Sequence, residues 1–348
     1  MKKQYTPILL FGAMHGINDF IAGYLLWRIS DHGLSAKDSM LAFILYSLIA
    51  FGGQYPAGLL IDSIREIKRP SFVALLLLMA AILLFVLQAP LPAVLCSALA
   101  SAVLHVCGGA ACYSMLPGNH TAAGIFTGPG VLGLLACGLA AGSSGFSMAW
   151  LLPVLLILTA TLFPLEIPYS NKESKEKQAI EWHDIFMLTI LLAIALRSLL
   201  WNMVQLWDTH ASPGWIMTLV ISAFAGKLGG GDMADSKMAT PGLYAALAGA
   251  AISLYISRYF PLLLFPGVFL LQSTTPMTLV LLQGRLSSTP ALASGLALGI
   301  AILLAGIPAY LSDFREIMLH PAAMTTVGIG FLFTHLGVWS RKTGNPVP

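Results

Sequence analysis

Long apolar runs, separated by short clusters of glycine, proline and charged residues, follow one another along this 348-residue chain. A helix that crosses a bilayer needs about 20 mainly apolar residues, and the runs have that length. The breaks between them predict twelve membrane spans. These lie near 7–29, 39–61, 70–88, 90–116, 122–142, 147–166, 185–206, 214–228, 240–257, 260–283, 291–310 and 321–340. The pattern therefore predicts an all-α polytopic membrane protein.

The composition supports a chain that faces lipid and excludes several classes of protein. Hydrophobic residues make up 57% of the chain and charged residues only 9%, whereas soluble domains carry about 25% charged residues. No Walker loop, Gly-x-Ser-x-Gly elbow or His-Glu-x-x-His pattern occurs in the sequence. These motifs are typical of nucleoside triphosphatases, α/β-hydrolases and metalloproteases. We therefore expect neither an enzyme nor a nucleic-acid-binding protein.

The distribution of basic residues predicts the orientation of the spans. With a cytoplasmic N-terminus, the outside loops contain only Lys37, Arg258 and Arg315, and the remaining basic residues of the loops and termini lie inside. Cytoplasmic loops hold the excess of Lys and Arg in membrane proteins. Both termini are therefore predicted to be cytoplasmic.

A short motif occurs twice, about half the length of the chain apart. Gly58 is followed four residues later by Asp62 and then Ser63, and Gly231 is followed in the same way by Asp235 and Ser236. Each copy follows the second span of six, and such repeats indicate duplicated architecture. The sequence predicts two six-helix bundles, 1–167 and 185–348, that are joined by a cytoplasmic linker, 168–184.

The duplicated loop resembles the signature between the second and third helices of the major facilitator superfamily, in which a basic residue usually follows the Asp. The segment Gly124-Ile125-Phe126-Thr127-Gly128-Pro129 resembles part of a fifth-helix motif of proton-coupled exporters in that superfamily. The resemblance implies the major facilitator fold and a monomeric secondary transporter in the bacterial cytoplasmic membrane. It implies alternating access, proton coupling and export of a small solute.

Other functions stay open on the sequence alone. Within the same fold, the alternatives are an uptake symporter and a facilitator. From other classes, they are a membrane-embedded enzyme and a sensor or scaffold that does not transport.

The resemblance also assigns roles to the loops. It implies that Asp62 and Asp235 are gating residues that bond to neighbouring helix ends, with basic partners nearby: Arg65, Lys68, Arg69 and Lys237. The alternative is that both carboxylates are helix N-caps and the bases are topological anchors. In the fifth span, Gly124 and Gly128 would allow close helix packing, and Pro129 would permit a bend.

Polar residues inside the spans indicate where a solute could bind. His15, Asn18 and Asp19 lie on one face of the first span, and ionisable groups in hydrocarbon are costly. We predict proton coupling through Asp19 and His15, although Asp19 could instead make a structural hydrogen bond to a neighbouring helix. The resemblance implies that spans 1, 4, 7 and 10 line the cavity. Their candidate substrate contacts are Asn18, His105, Tyr113, Arg197, Trp201, Gln205, Gln272 and Thr275.

Two further expectations concern charge and metals. Arg197 is predicted to pair with Asp19 or with an anionic group of the substrate. The four cysteines fall within apolar spans, and the spacing of His105, Cys107 and Cys112 matches no established metal site. The sequence therefore predicts no metal and no cofactor, and its predicted partners are a small solute, protons and the lipid bilayer.

Overall fold

The computed structural model describes residues 2–143, 145–169, 180–207, 212–236, 239–257 and 259–306. All regular elements in these ranges are helical. The α-helices are α1 (Lys2–Arg28), α2 (Ala36–Ser47), α3 (Gln54–Ile64), α4 (Lys68–Val86), α5 (Pro90–Met115), α6 (His120–Ala141), α7 (Leu151–Leu162), α8 (Ile180–Trp207), α9 (Pro213–Asp235), α10 (Ala239–Ile256), α11 (Leu264–Arg285), α12 (Pro290–Gly295) and α13 (Ala301–Gly306). Each of the first eleven predicted spans overlaps at least one of them.

Seven helical segments in the described ranges are long and apolar enough to cross a membrane. They are Gln4–His32, Ala36–Ile64, Lys68–Val86, Pro90–Met115, His120–Ala141, Met187–Val204 and Pro261–Arg285. Two shorter apolar segments, Met148–Leu162 and Pro290–Leu304, lie in further predicted spans. The last predicted span, 321–340, lies outside the described residues, so the count of twelve stays a prediction.

Helix α4 illustrates how these helices are built. Its interior face buries Leu75 and Leu78 completely, while Leu76 and Leu83 on the opposite side are 59% and 49% exposed. A helix that is hydrophobic all round is typical of a membrane span. The exposed leucines are therefore suited to contact lipid.

The chain forms two compact units. Unit 1 comprises Met1–Pro117, Ile125–Lys172 and Ser288–Ile300, and unit 2 comprises Gly118–Gly124, Glu173–Ser287 and Ala301–Pro348. Unit 1 therefore holds α1 to α5, most of α6, α7 and α12. Unit 2 holds the first turn of α6 together with α8 to α11 and α13. The sequence-based boundaries of the two bundles stay a prediction.

Within unit 1, two interrupted helices approach one another at their backbones. A π-helical turn, Leu48–Gly52, joins α2 to α3, and a second one, Leu296–Ile300, follows α12. A Cβ atom at Gly295 would lie 2.4 Å from the Gln54 carbonyl oxygen. The end of α12 thus lies against the backbone at the start of α3, beside two π-helical turns of the kind that often occur at functional positions.

Helices α1 and α6 also pack tightly inside unit 1. A Cβ atom at Gly12 would lie 2.6 Å from the Ile125 carbonyl oxygen, and one at Gly133 would lie 2.0 Å from that of Gly16. Pro129 lies inside α6 and has no N–H to donate to the carbonyl one turn earlier, that of Ile125. The glycines thus bring α1 against the part of α6 that proline interrupts.

Candidate functional site

The polar residues of α1 meet two residues of α5 in the interior of unit 1. The Asn18 side-chain amide donates to Asp19 Oδ1 at 3.0 Å and lies 3.2 Å from the Ser101 hydroxyl. His105, one turn after Ser101 on α5, places its Nε2 atom 3.0 Å from Nε2 of His15. We call His15, Asn18, Asp19, Ser101 and His105 the polar cluster. The sequence predicted the α1 face, and the structure brings it together with His105.

Both imidazole rings in the polar cluster are held by backbone carbonyl groups. His15 Nδ1 lies 2.9 Å from the Phe126 carbonyl oxygen, and His105 Nδ1 lies 2.8 Å from the Ser101 carbonyl oxygen. A carbonyl oxygen only accepts hydrogen bonds, so these contacts favour the tautomer with a proton on each Nδ1. In that tautomer the two Nε2 atoms are acceptors, and a proton or cation between them would bridge the rings.

The Asp19 carboxylate lies beside both rings. Its Oδ2 atom is 3.2 Å from Nε2 of His15, and its Oδ1 atom is 3.8 Å from Nε2 of His105. The two histidine side chains are each only 8% exposed and that of Asp19 is 17% exposed. Two facing acceptors next to a carboxylate form a site that attracts a cation or a shared proton.

Gly130 of α6 provides the room for this arrangement. A Cβ atom there would lie 2.5 Å from Asp19 Oδ2 and 2.6 Å from His15 Nε2. Any side chain at this position would therefore displace the carboxylate and the imidazole. The close packing of α1 against α6 thus defines one wall of the polar cluster.

Unit 2 contains a second group of buried polar residues, on α8 and α11. Arg197 is only 5% exposed, and its Nη1 atom donates to the Thr278 hydroxyl at 3.2 Å. The Thr275 hydroxyl donates to Gln272 Oε1 at 3.2 Å, and both residues are 5% exposed. A buried guanidinium next to hydroxyl and amide groups can bind an anionic or polar solute group.

The other predicted substrate contacts are placed as follows. Tyr113 is buried on α5, two turns after His105. Trp201 lies on α8 and is partly buried. Gln205 also lies on α8, but its side chain is outside the described part of the structure. The predicted pairing of Asp19 with Arg197 stays a prediction, since one lies in unit 1 and the other in unit 2.

The loop carboxylate of unit 1 caps the start of α12. Asp62 accepts from the backbone N–H groups of Ala291 and Leu292 at 3.0 and 2.8 Å, and from the Tyr169 hydroxyl. Because Pro290 has no N–H, these are the first two amide donors of the helix. Burial and the neighbouring Asp62 carboxylate raise the pKa of the Tyr169 hydroxyl well above its usual range, so this hydroxyl stays protonated and donates.

The loop carboxylate of unit 2 has the same kind of partner. Asp235 accepts from the backbone N–H groups of His120 and Thr121 at 2.9 and 2.8 Å, and from the His120 ring and the Thr121 hydroxyl, each at 2.8 Å. Burial opposes ionisation of this carboxyl, but the hydrogen bonds from His120 and Thr121 outweigh it and lower its pKa. Asp235 therefore caps the start of α6 as a carboxylate.

The duplicated motif now has a geometric explanation. A Cβ atom at Gly58 would lie 2.8 Å from the Leu292 Cα atom, and one at Gly231 would lie 2.6 Å from the His120 carbonyl oxygen. In each copy the glycine admits the end of another helix, and the Asp one turn later accepts its first N–H groups. We call the two contacts the unit 1 latch and the unit 2 latch.

The basic residues near Asp62 have other contacts. Arg69 pairs with Glu66 at 3.3 Å, and the Lys68 ammonium donates to the Phe163 carbonyl oxygen at 2.5 Å. Arg65 is exposed and ends α3 in a left-handed conformation. Lys237 lies outside the described residues. Asp62 and Asp235 thus cap helices, as the alternative had it, but these helices are distant in sequence. The gating role of the two residues stays a prediction.

The sequence analysis missed several residues of these sites, including His120, Thr121, Gly130, Tyr169 and Thr278. Each lies in a loop or a span whose local pattern gives no functional signal. Only Pro290 offered a hint, because proline commonly occupies the first position of a helix.

Comparison with known proteins supports the fold. No family model matches the chain, and no curated protein matches it by sequence. Among solved structures, the chain is similar to the E. coli fucose:proton symporter FucP, with a TM-score of 0.71 and 12% identity over 99% of this chain and 100% of that one. A structure of FucP described as a major facilitator superfamily transporter in the outward conformation gives a TM-score of 0.66 and 14% identity over 99% and 100%.

A third solved structure is a bacterial homologue of the iron transporter ferroportin in the outward-facing state. It has a TM-score of 0.66 and 12% identity, and the match covers 96% of this chain and 99% of that one. The similarity thus extends over nearly the whole of each chain. The polypeptide has the fold of the major facilitator superfamily transporters.

Proposed function

We propose that this protein is a proton-coupled secondary transporter that moves a small solute across the bacterial cytoplasmic membrane by alternating access. The polar cluster is the observation that carries the proposal. It holds a carboxylate 3.2 Å from one imidazole, which in turn lies 3.0 Å from a second, in a chain whose fold is shared with transporters. Ionisable groups that are retained inside a membrane commonly form proton relays.

Asp19 is the proposed proton carrier and His15 its partner. The Asp19 carboxylate can exchange a proton with His15 over 3.2 Å, and the His15 ring lies 3.0 Å from that of His105. Gain or loss of that proton changes the charge of the polar cluster and therefore the cost of keeping it away from water. Such a change can bias one conformation over another.

The proposed gate consists of the two latches. Each holds the N-terminal end of a helix by two backbone hydrogen bonds to a carboxylate, of 3.0 and 2.8 Å in unit 1 and of 2.9 and 2.8 Å in unit 2. Charge-assisted bonds of this kind are worth about 1.5–3 kcal/mol each when they are shielded from water and less when they are exposed. This is enough to bias two conformations that differ by a few kcal/mol.

The remaining predictions belong to this proposal. The chain crosses the membrane twelve times as two six-helix bundles, 1–167 and 185–348, with the linker 168–184 and both termini in the cytoplasm. It acts as a monomer. Solute would contact Asn18, His105, Tyr113, Arg197, Trp201, Gln205, Gln272 and Thr275.

The direction of transport is proposed to be export, because the Gly124 to Pro129 segment resembles the motif of proton-coupled exporters. Helix α6 carries the proline internally. Uptake is the rival direction, and the similarity to a fucose:proton symporter favours testing it. Proton coupling is common to both directions.

A ligand screen followed by transport assays tests the proposal. Sugars including L-fucose, amino acids and drug-like cations would be screened for thermal stabilisation of the purified full-length protein, and the hits assayed for counterflow in proteoliposomes with and without a pH gradient. We expect at least one solute to stabilise the protein and to move faster with the gradient. Arg197→Ala should weaken its binding, whereas Lys37→Ala, which removes an exposed base at the start of α2, should not.

The opposite results would count against the proposal. If stabilising solutes are found but none crosses the membrane in either assay, the protein is not a transporter. If solute moves equally well with and without the gradient, it is a facilitator and proton coupling is wrong.

A further inference from the structure

The polar cluster has the ligands of a metal site as well as those of a proton relay. His15 Nε2, His105 Nε2 and the Asp19 carboxylate come within 4.8 Å of one another, in the interior of unit 1. Imidazole nitrogens and a carboxylate oxygen are typical ligands of zinc, iron(II) and related divalent ions. The spacing along the sequence gave no sign of this, because His105 lies 90 residues from His15.

The distances suit a tetrahedral ion. With ligand bonds of about 2.0–2.2 Å, the ligand atoms of a tetrahedral zinc site lie about 3.3–3.6 Å apart. Here the two Nε2 atoms are 3.0 Å apart, Oδ2 of Asp19 lies 3.2 Å from that of His15, and Oδ1 lies 3.8 Å from that of His105. Rotation of the carboxylate, with small shifts of the two rings, would bring one oxygen within range of both nitrogens. Three protein ligands leave the fourth tetrahedral position to water or another ligand.

The outer hydrogen bonds also suit a metal site. Metal-binding histidines usually donate their other ring N–H to a carbonyl or carboxylate group, which fixes the tautomer. His15 and His105 do so through Nδ1, at 2.9 and 2.8 Å from carbonyl oxygens. Asp19 is in turn held by the Asn18 amide at 3.0 Å. These contacts place the two Nε2 atoms next to one another and beside the carboxylate.

We propose that His15, His105 and Asp19 form a three-ligand site for a divalent transition-metal ion of the zinc and iron(II) class. Magnesium and calcium are excluded as preferred ions, because they favour all-oxygen sites. The site is inferred from the geometry of unit 1 and does not rest on the proposed transport function.

Titration of the full-length protein with Co²⁺ tests the inference. The protein would be purified in detergent, freed of its affinity tag and stripped with a chelator. Binding would be followed by calorimetry and by the strong visible absorption of tetrahedral Co²⁺. We expect one Co²⁺ per chain, displaced by Zn²⁺ but not by Mg²⁺. A wild-type protein that shows no such absorption would overturn the inference.

Two histidine variants form a matched pair. His105→Gln removes one ligand and should weaken Co²⁺ binding at least about 100-fold, since loss of even an outer hydrogen-bond partner costs 10–100-fold. His32→Gln alters a histidine in the turn after α1, whose ring lies against Phe85, and should bind Co²⁺ like the wild type. Equal affinity in the two variants would contradict the assignment.

A variant that keeps all three ligands separates an effect on the metal site from the loss of a ligand or of the fold. Asn18→Ala removes only the amide that holds Asp19 and should weaken Co²⁺ binding about 10–100-fold. Unchanged affinity in this variant, with a wild-type elution profile, would count against the site.

The outcomes also separate this inference from the proposed function. Absence of Co²⁺ binding overturns the metal site and leaves pH-driven solute flux unaffected. Stoichiometric Co²⁺ binding by a protein that moves no solute supports the site and counts against transport.

Discussion

The substitution Asp235→Asn tests the unit 2 latch with a small change in shape. It replaces one carboxylate oxygen with an amide NH₂ group, which donates hydrogen bonds instead of accepting them. The wild-type carboxylate accepts from the His120 and Thr121 backbone N–H groups at 2.9 and 2.8 Å and from both of their side chains at 2.8 Å. The variant therefore loses the negative charge and the hydrogen bonds to one of the two oxygens.

The size of the effect follows from the capping contact. Loss of a helix N-cap costs about 0.5–2 kcal/mol, and loss of a charge at a helix N-terminus costs about 0.3–1 kcal/mol. The Asp235 side chain is 25% exposed, so solvent screening reduces the electrostatic part. We expect the latch to weaken by about 1–2 kcal/mol, which is a factor of about 5–30 in its opening equilibrium.

Hydrogen exchange measured by mass spectrometry reports this directly, because the amides of His120 and Thr121 are themselves the donors. We expect peptides that cover the start of α6 to exchange about 5–30 times faster in Asp235→Asn than in the wild type. Asp232→Asn is the matched control, since Asp232 is an exposed residue one turn earlier on α9. Equal exchange in the wild type and Asp235→Asn, or the same increase in Asp232→Asn, would refute the reasoning.

Three further predictions follow from the described contacts. Because hydrogen bonds hold the pKa of Asp235 below its usual value, the unit 2 latch keeps its carboxylate above that value and loses it as pH falls through the lowered pKa; exchange at this latch, corrected for intrinsic rates, should therefore become faster as the pH falls below about 4. Gly130→Ala should reduce pH-driven flux about tenfold or more by displacing the polar cluster, whereas Gly138→Ala, where a Cβ atom meets nothing within 4 Å, should be neutral. Tyr169→Phe removes the hydroxyl donor to Asp62 and should weaken the unit 1 latch by about 0.5–1.5 kcal/mol, measured as faster amide exchange at the start of α12.

Local features of the fold could be predicted from the sequence because a membrane imposes simple rules on a helix. Apolar runs of spanning length predicted the helices, and each described α-helix overlaps a predicted span. Helical spacing also placed His15, Asn18 and Asp19 on one face of the first span. These inferences needed only the period of the helix and the length of an apolar run.

The partners of these residues depend on helix packing and could not be predicted. His105 meets His15 only because α5 packs against α1 in unit 1, with α6 closing the site through Gly130. Likewise, the family resemblance implied basic partners for Asp62, but its described hydrogen bonds come from the start of α12 and from Tyr169. Backbone N–H groups at the start of a helix carry partial positive charge and can take the place of a basic side chain. Which helix start lies next to Asp62 cannot be predicted from the sequence.

Proton movement coupled to solute is the measurement that tests the central claim most directly. Proteoliposomes that contain a pH-sensitive dye would receive the solute found in the screen, with the wild type, Asp19→Asn or Asp31→Asn reconstituted. Asp31 is an exposed carboxylate in the turn after α1, where it pairs with Arg28 at 2.7 Å. We predict that solute changes the internal pH with the wild type and Asp31→Asn but not with folded Asp19→Asn. Unaltered proton movement with Asp19→Asn would contradict the account.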